Sequence, residues 1–221
     1  MKLLTRKKPS EIELLFNKNK PELEFVKDFM CVYKKKQTLN CEEIISHAES
    51  LEGWEESTCV GEDLTCLSPK VEPEHRDSSQ LPFDATRAPL IHKQIFDFSQ
   101  EALNDFLSRF PEANKFPSFR IRESYQVIRY KEGQAFHGLH SDYFPFKALS
   151  RRHLTGIIFL NDIKEGGELF FPHQDLTMKS ERGKMVIFPS GWTHVHKTFP
   201  PVNQTRYVFQ MWWSFENEGE D

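Results

Sequence analysis

From residue 118 onward the pattern of apolar positions turns β-like, with short apolar runs in place of helical spacing. Residues 125–130, 154–160, 168–171, 184–188 and 205–215 form runs rich in β-branched and aromatic side chains, separated by Gly, Pro, Asn and Asp. Strands at this spacing, with no helical pattern between them, predict an antiparallel sandwich or barrel. Upstream the period lengthens. Asn40, with Glu43 three positions later and then Ile44, Ile45, Ala48 and Leu51, predicts a capped amphipathic helix ending at Gly53. Residues 99–110 predict a second helix, stopped by Pro111. Residues 22–33 read as an early strand. Pro69, Pro73, Pro82 and Pro89 among polar residues predict a long loop over 67–90. Residues 1–20, with Lys2, Arg6, Lys7 and Lys8, read as an N-terminal arm. The expected organisation is that arm and a single domain over 21–221, in which helical support over 21–117 carries a β core over about 118–216.

Composition narrows the class. Of 221 residues 38% are hydrophobic, and 20 Phe with 4 Trp supply enough apolar bulk for one core. The longest obvious apolar run, 156–160, is far below the ~18 residues that span a bilayer. Charge follows Leu3 and Leu4 so closely that no signal-peptide stretch is expected. Cys31, Cys41, Cys59 and Cys66 contain no CxxC pair, which fits neither a disulfide scaffold nor a zinc site and suits the reduced thiols of a cytoplasmic compartment. A net charge of −4 argues against bulk attraction to nucleic acid. Membrane and nucleic acid are therefore not expected partners, and the oligomeric state is left open.

Two His-x-Asp triplets stand out, His140-Ser-Asp142 and His173-Gln-Asp175. On a strand such residues share a face, so both side chains could reach one metal ion. A two-histidine, one-carboxylate iron site needs a third ligand from a distant strand and leaves positions open for substrate. His194 and His196 follow the strand-like 185–189, and the gap of 56 positions from His140 to His196 leaves room for several strands. From His173 the gap is 23, room for about one hairpin, and His173 follows Pro172 at a strand end. His140 and Asp142 are the expected ligands.

Residues 125–215 resemble the catalytic core of the prolyl 4-hydroxylase-like iron(II)/2-oxoglutarate dioxygenases. The resemblance is carried, in family order, by Arg129-Tyr-Lys-Glu-Gly-Gln134, His140-Ser-Asp142-Tyr143, Leu160-Asn-Asp162, Glu165-Gly-Gly-Glu168, Phe171-Pro172 and Gly183-Lys-Met-Val-Ile-Phe188-Pro189. A distal histidine followed by a basic residue completes the set. The resemblance implies a mainly β protein with supporting helices around a double-stranded β-helix, or jelly-roll, core. It also implies Fe(II) held by His140, Asp142 and His196, with 2-oxoglutarate and O2 as cosubstrates and ascorbate as a candidate reductant. His196 is preferred over His194 because Arg206 lies ten positions after it and Lys197-Thr-Phe-Pro-Pro201 follows, leaving His194 as a neighbouring or core histidine. Arg206, in fork geometry, and the hydroxyl of Tyr130 would hold the far carboxylate of 2-oxoglutarate, with Trp212 close by. Arg206, Val208, Gln210, Trp212 and Ser214 fall on one face of their strand.

Two departures make the expected pocket more apolar than in many members: Leu169 stands where Thr is common, and Phe159 where some have Tyr. Trp212 occupies the position of the second arginine of the nucleic-acid demethylase branch, which argues against base repair. The expected reaction is hydroxylation of an unactivated C–H, first of all in a peptidyl proline, with release of succinate and CO2. The alternatives are a free amino acid or other small molecule, and a non-catalytic β-helix module that holds metal. Arg120, Arg122, Arg129, Lys131, Lys147, Arg151 and Arg152 outnumber the acids between 120 and 152, favouring an acidic peptide or the anionic cosubstrate.

Overall fold

The computed structural model describes residues 21–34, 39–60, 69–83, 85–86, 88–115, 117–145 and 147–216. The expected arm and Cys66 lie outside them. The chain opens with β1 (Glu22–Lys27), β2 (Met30–Lys34), α1 (Cys41–Ser50), β3 (Glu55–Glu56), β4 (Cys59–Val60), β5 (Pro69–Lys70), β6 (Ser79–Phe83) and α2 (Pro89–Arg109). Then follow β7 (Phe119–Ile121), β8 (Tyr125–Tyr130), β9 (Arg152–Phe159), β10 (Leu169–Phe171), β11 (Leu176–Met178), β12 (Lys184–Pro189), β13 (Lys197–Thr198) and β14 (Arg206–Phe215). The major sheet runs β1-β2-β12-β9-β14-β8-β6-β3, with β7 on the far end of β14, and β11-β10-β13 form the minor sheet. All pairings are antiparallel. The architecture is a double-stranded β-helix with helices on its outer face.

Alternation along the strands divides the interior in two. From β14, Tyr207, Phe209, Met211 and Trp213 turn outward onto Ile91, Ile95, Phe98, Ala102 and Phe106 of α2. At about 1.5–3 kcal/mol for each fully buried large apolar side chain, this layer fixes the helix against the sheet. Val208 from the other face of β14, with Ile128, Tyr130, Ile157, Phe159 and Phe188, meets Leu169, Phe171 and Met178 of the minor sheet. The candidate site opens inside this second layer.

The N-terminal half departs from the expected pattern. Residues 22–33 form a hairpin rather than one strand, because Asp28 and Phe29 take positive φ and reverse the chain without a glycine. Helix α1 has its expected cap, Asn40 Oδ1 accepting from the Glu43 backbone N–H, and ends at Ser50, short of Gly53. Residues 67–90 are not one loop. Leu81 and Phe83 are fully buried, and β6 pairs with β8 through the whole of 79–83. Pro82 is tolerated because β3 pairs only with Ser79 and Gln80, leaving that edge free at Pro82. Helix α2 begins ten residues earlier than expected, with Pro89 at its first position, where a missing N–H costs nothing. Residues 21–117 thus supply strands to the major sheet as well as helical support. Among the described residues no helix is long and apolar enough to cross a membrane.

Candidate active site

His140 and His196 are neighbours across an antiparallel bridge, exchanging both backbone hydrogen bonds at 3.0 and 2.9 Å. That bridge, not a regular strand, brings together two imidazoles 56 positions apart. With Asp142 they place one ligand atom each within 4.8 Å of the others, and His196 Nε2 lies 3.9 Å from Asp142 Oδ2. In each histidine Nδ1 faces a backbone carbonyl, Gly138 O at 3.2 Å for His140 and His194 O at 3.0 Å for His196. A carbonyl only accepts, so Nδ1 carries a proton, and in the neutral ring this leaves the lone pair on Nε2. Burial, then the neighbouring His196, pulls the His140 imidazole well below the ordinary histidine range. A neutral imidazole is what a divalent metal requires of a histidine ligand.

Asp142 is 6% exposed and held by groups with no motif of their own. Thr155 Oγ1 donates to Asp142 Oδ2 at 2.8 Å, and since that proton is used, Ser190 Oγ must donate to Thr155 at 2.9 Å. Gln210 Nε2 reaches Asp142 Oδ1 at 3.5 Å, and Arg152 Nη1 reaches the Asp142 carbonyl at 3.3 Å. Phe136 stacks on His140 with centroids 3.4 Å apart and an 8° interplanar angle, while Phe171 and Phe188 pack on His196. These aromatic rings pack against the two imidazoles and hold their planes in place.

The triad lines a cavity of about 450 Å³, within the range of small-molecule sites. At another point of its wall lies Arg206, 1% exposed, cross-strand partner of Tyr130 in the β14–β8 register. Burial lowers the guanidinium's pKa, and the Tyr130 hydroxyl bonded to it acts in the opposite direction. Arg206 Nε and Nη1 are buried without a hydrogen-bond partner. Gly166 and Gly167, both at positive φ, make room for this arrangement. A Cβ on Gly166 would lie 2.1 Å from the Pro200 carbonyl, and one on Gly167 3.2 Å from Arg206 Cδ. Trp212 lines the same cavity, its indole N–H buried without a partner and its ring 3.6 Å from the Arg152 guanidinium.

The structure therefore brings His140, Asp142, His196, Arg206, Tyr130 and Trp212 to one cavity. His173 and Asp175 are exposed in the turn between β10 and β11, away from it. His194 is buried but aims elsewhere, its Nε2 at 2.8 Å from the Asp28 carbonyl, while its own carbonyl orients His196. Of the seven cations over 120–152, three form ion pairs among the described residues: Arg129 with Glu49, Arg152 with Glu123 and Arg120 with Glu216. The surplus is therefore weaker evidence of an acidic partner. Thr155, Ser190, Phe136 and Arg76 carry no sequence signal that ties them to the site. Alternation does place Thr155 on the inward face of β9 with Ile157 and Phe159, but nothing local ties Ser190 to it.

Residues 125–214 match the model of the 2OG-Fe(II) oxygenase superfamily. Prolyl 4-hydroxylase 13 of Arabidopsis thaliana is 28% identical over 129 residues, covering 45% of each chain, so the match spans less than half of that relative. The fold is shared with a collagen prolyl hydroxylase of Paramecium Bursaria Chlorella virus-1, solved as a 2OG complex, at 18% identity and TM-score 0.61 over 86% of this chain and 97% of that one. A Trichoplax adhaerens prolyl hydroxylase in complex with a hypoxia inducible factor peptide fragment aligns at 15% identity and TM-score 0.60, covering 93% and 94%.

Proposed function

We propose that the chain, whose residues 125–214 match the 2OG-Fe(II) oxygenase superfamily model, is an iron(II)- and 2-oxoglutarate-dependent dioxygenase that hydroxylates an unactivated C–H bond of a peptidyl proline. One observation carries this reading: a three-ligand cluster and a buried guanidinium with two unpartnered N–H groups face the same cavity. The cluster suits Fe(II), leaving positions free for other ligands, and the guanidinium suits a carboxylate. A module that only stored metal would have no use for the second feature.

His140 and His196 would present Nε2 to the metal, each fixed by its Nδ1–H bond to a backbone carbonyl. Asp142 would supply the carboxylate, its orientation set by Thr155, Ser190 and Gln210. Arg206 would take the C5 carboxylate of 2-oxoglutarate through its unpartnered N–H groups, with the Tyr130 hydroxyl beside it and the Trp212 indole N–H free for a further contact. Leu169, Ile157 and Val208 line the cavity as well and exclude water from the cosubstrate's methylenes. With these groups bound, iron and 2-oxoglutarate supply the oxidising power that places one oxygen atom of O2 in the C–H bond, releasing succinate and CO2, and ascorbate would serve as reductant. The peptide reading draws on the prolyl hydroxylases among the relatives, one of them solved with a peptide fragment.

The test is succinate release and mass-detected oxygen incorporation with Fe(II), 2-oxoglutarate, O2 and either a proline-peptide library or free amino acids. Hydroxylated peptide is expected. Turnover with free amino acids alone would move the substrate to small molecules, and no iron-dependent loss of 2-oxoglutarate in any arm would overturn the reading.

A further inference from the structure

We infer that the substrate carries a carboxylate close to the carbon that reacts, and that Arg76 receives it; this rests on the dioxygenase reading above. Besides its histidines, the charged side chains that line the cavity are Arg76, Glu123, Asp142, Arg152 and Arg206. Asp142 belongs to the metal cluster, Arg152 is paired with Glu123, and Arg206 answers the cosubstrate. Arg76 is left over. It makes no ion pair among the described residues, although the Asp142 carboxylate of the metal cluster attracts it through space. Its Nη1 donates to the Thr58 carbonyl at 2.8 Å, and its Nε is buried with no partner. A buried donor without a partner costs free energy in the unliganded protein, and a carboxylate would relieve that cost.

The position is held rigidly. Arg76 forms an antiparallel bridge with Phe136, flanked by the Gly138 N–H to the His75 carbonyl and the Asp77 N–H to the Ala135 carbonyl. Gln134 Nε2 also donates to Asp77 Oδ1 at 2.7 Å. The contact is close enough that a Cβ on Gly138 would fall 1.9 Å from the His75 ring. The guanidinium lies 5.1 Å from the centroid of Phe136, the ring stacked on His140. A cation fixed one aromatic ring away from a metal ligand is well placed to orient a substrate anion without joining the metal. The carboxylate could come from an acidic side chain beside proline or from a free amino acid.

Calorimetry on the whole chain, loaded anaerobically with Mn(II) and 2-oxoglutarate, distinguishes the two sources. One arm compares capped peptides carrying Asp beside Pro with their Asn counterparts, and the other compares free proline with prolinamide. Wild type is expected to prefer the carboxylate in one arm by roughly ten- to 150-fold, the range of a charge-assisted bond. Arg76→Gln should reduce that preference to within about threefold, Arg76→Lys should keep part of it, and 2-oxoglutarate affinity should hold in both. The wild-type comparison needs no variant, so misfolding of Arg76→Gln would not shield the inference. Equal binding in both arms, a preference that survives in Arg76→Gln, or loss of 2-oxoglutarate affinity there would overturn it. Failure of wild type to bind 2-oxoglutarate would instead overturn the dioxygenase reading beneath it.

Discussion

Replacing Arg206 should weaken cosubstrate binding and strengthen the unliganded fold at the same time. The guanidinium is 1% exposed, and its Nε and Nη1 have no partner in the free protein. Leaving a buried donor unsatisfied costs about 1–3 kcal/mol. Arg206→Met keeps much of the apolar stem and removes those donors, so the free protein should gain about 1–3 kcal/mol. In a domain of about 200 residues that corresponds to roughly 2–4 °C in Tm per kcal/mol. The same substitution removes a charge-assisted bond worth about 1.5–3 kcal/mol, so 2-oxoglutarate should bind roughly ten- to 150-fold more weakly. Arg206→Lys should recover part of the affinity, since charge remains but the fork does not. Tyr130→Phe should cost less, as it removes one neutral hydroxyl. The assays are thermal unfolding without ligand and anaerobic titration of 2-oxoglutarate into iron-loaded protein. A lower Tm for Arg206→Met with unchanged affinity would refute both halves, leaving Arg206 a packing residue.

Other consequences are as specific. Thr155→Val keeps the shape but removes the donor to Asp142 Oδ2, so metal affinity should fall about 10–100-fold by Mn(II) titration; undiminished affinity would mean that the hydroxyl does not position the carboxylate. His173→Ala with Asp175→Ala, both exposed, should leave succinate release within about twofold of wild type, and a large loss would reopen the choice between the two His-x-Asp triplets. Burial holds the His153 imidazole below its ordinary value, so the folded chain keeps it neutral while the unfolded chain takes up a proton below about pH 6.5. Its contribution is therefore intact above that pH and is lost as pH falls toward the folded value, by up to about 1.4 kcal/mol per pH unit. His153→Gln should flatten this part of the curve in urea melts between about pH 7.5 and 5.5, and an unchanged slope would contradict the sign.

The C-terminal strands were legible because β8, β9, β12 and β14 are short runs rich in β-branched and aromatic residues, and turn residues bound them. Upstream, proline misled. Pro82 sits in a strand whose outer edge is free at that point, and Pro89 starts a helix rather than ending a loop. The β1–β2 reversal takes positive φ at Asp28 and Phe29, so its one turn signal is a single Asp with no Gly or Asn beside it. In the site, the residues that converge on the cavity were readable as spaced motifs. The groups that hold them were not, because Thr155 meets Ser190 across 35 positions and Asp142 meets Gln210 across 68. Arg152 counts in sequence toward a local excess of cations, but in the fold it pairs with Glu123 and lies over Trp212.

The most direct measurement is Mn(II) binding to the metal-free chain, wild type beside His140→Ala, Asp142→Ala, His196→Ala and His194→Ala. One site per chain is expected in wild type, lost in each of the first three variants and kept in His194→Ala, whose ring bonds the Asp28 carbonyl instead. Full binding in Asp142→Ala, or loss confined to His194→Ala, would contradict the assignment of His140, Asp142 and His196 as the metal centre.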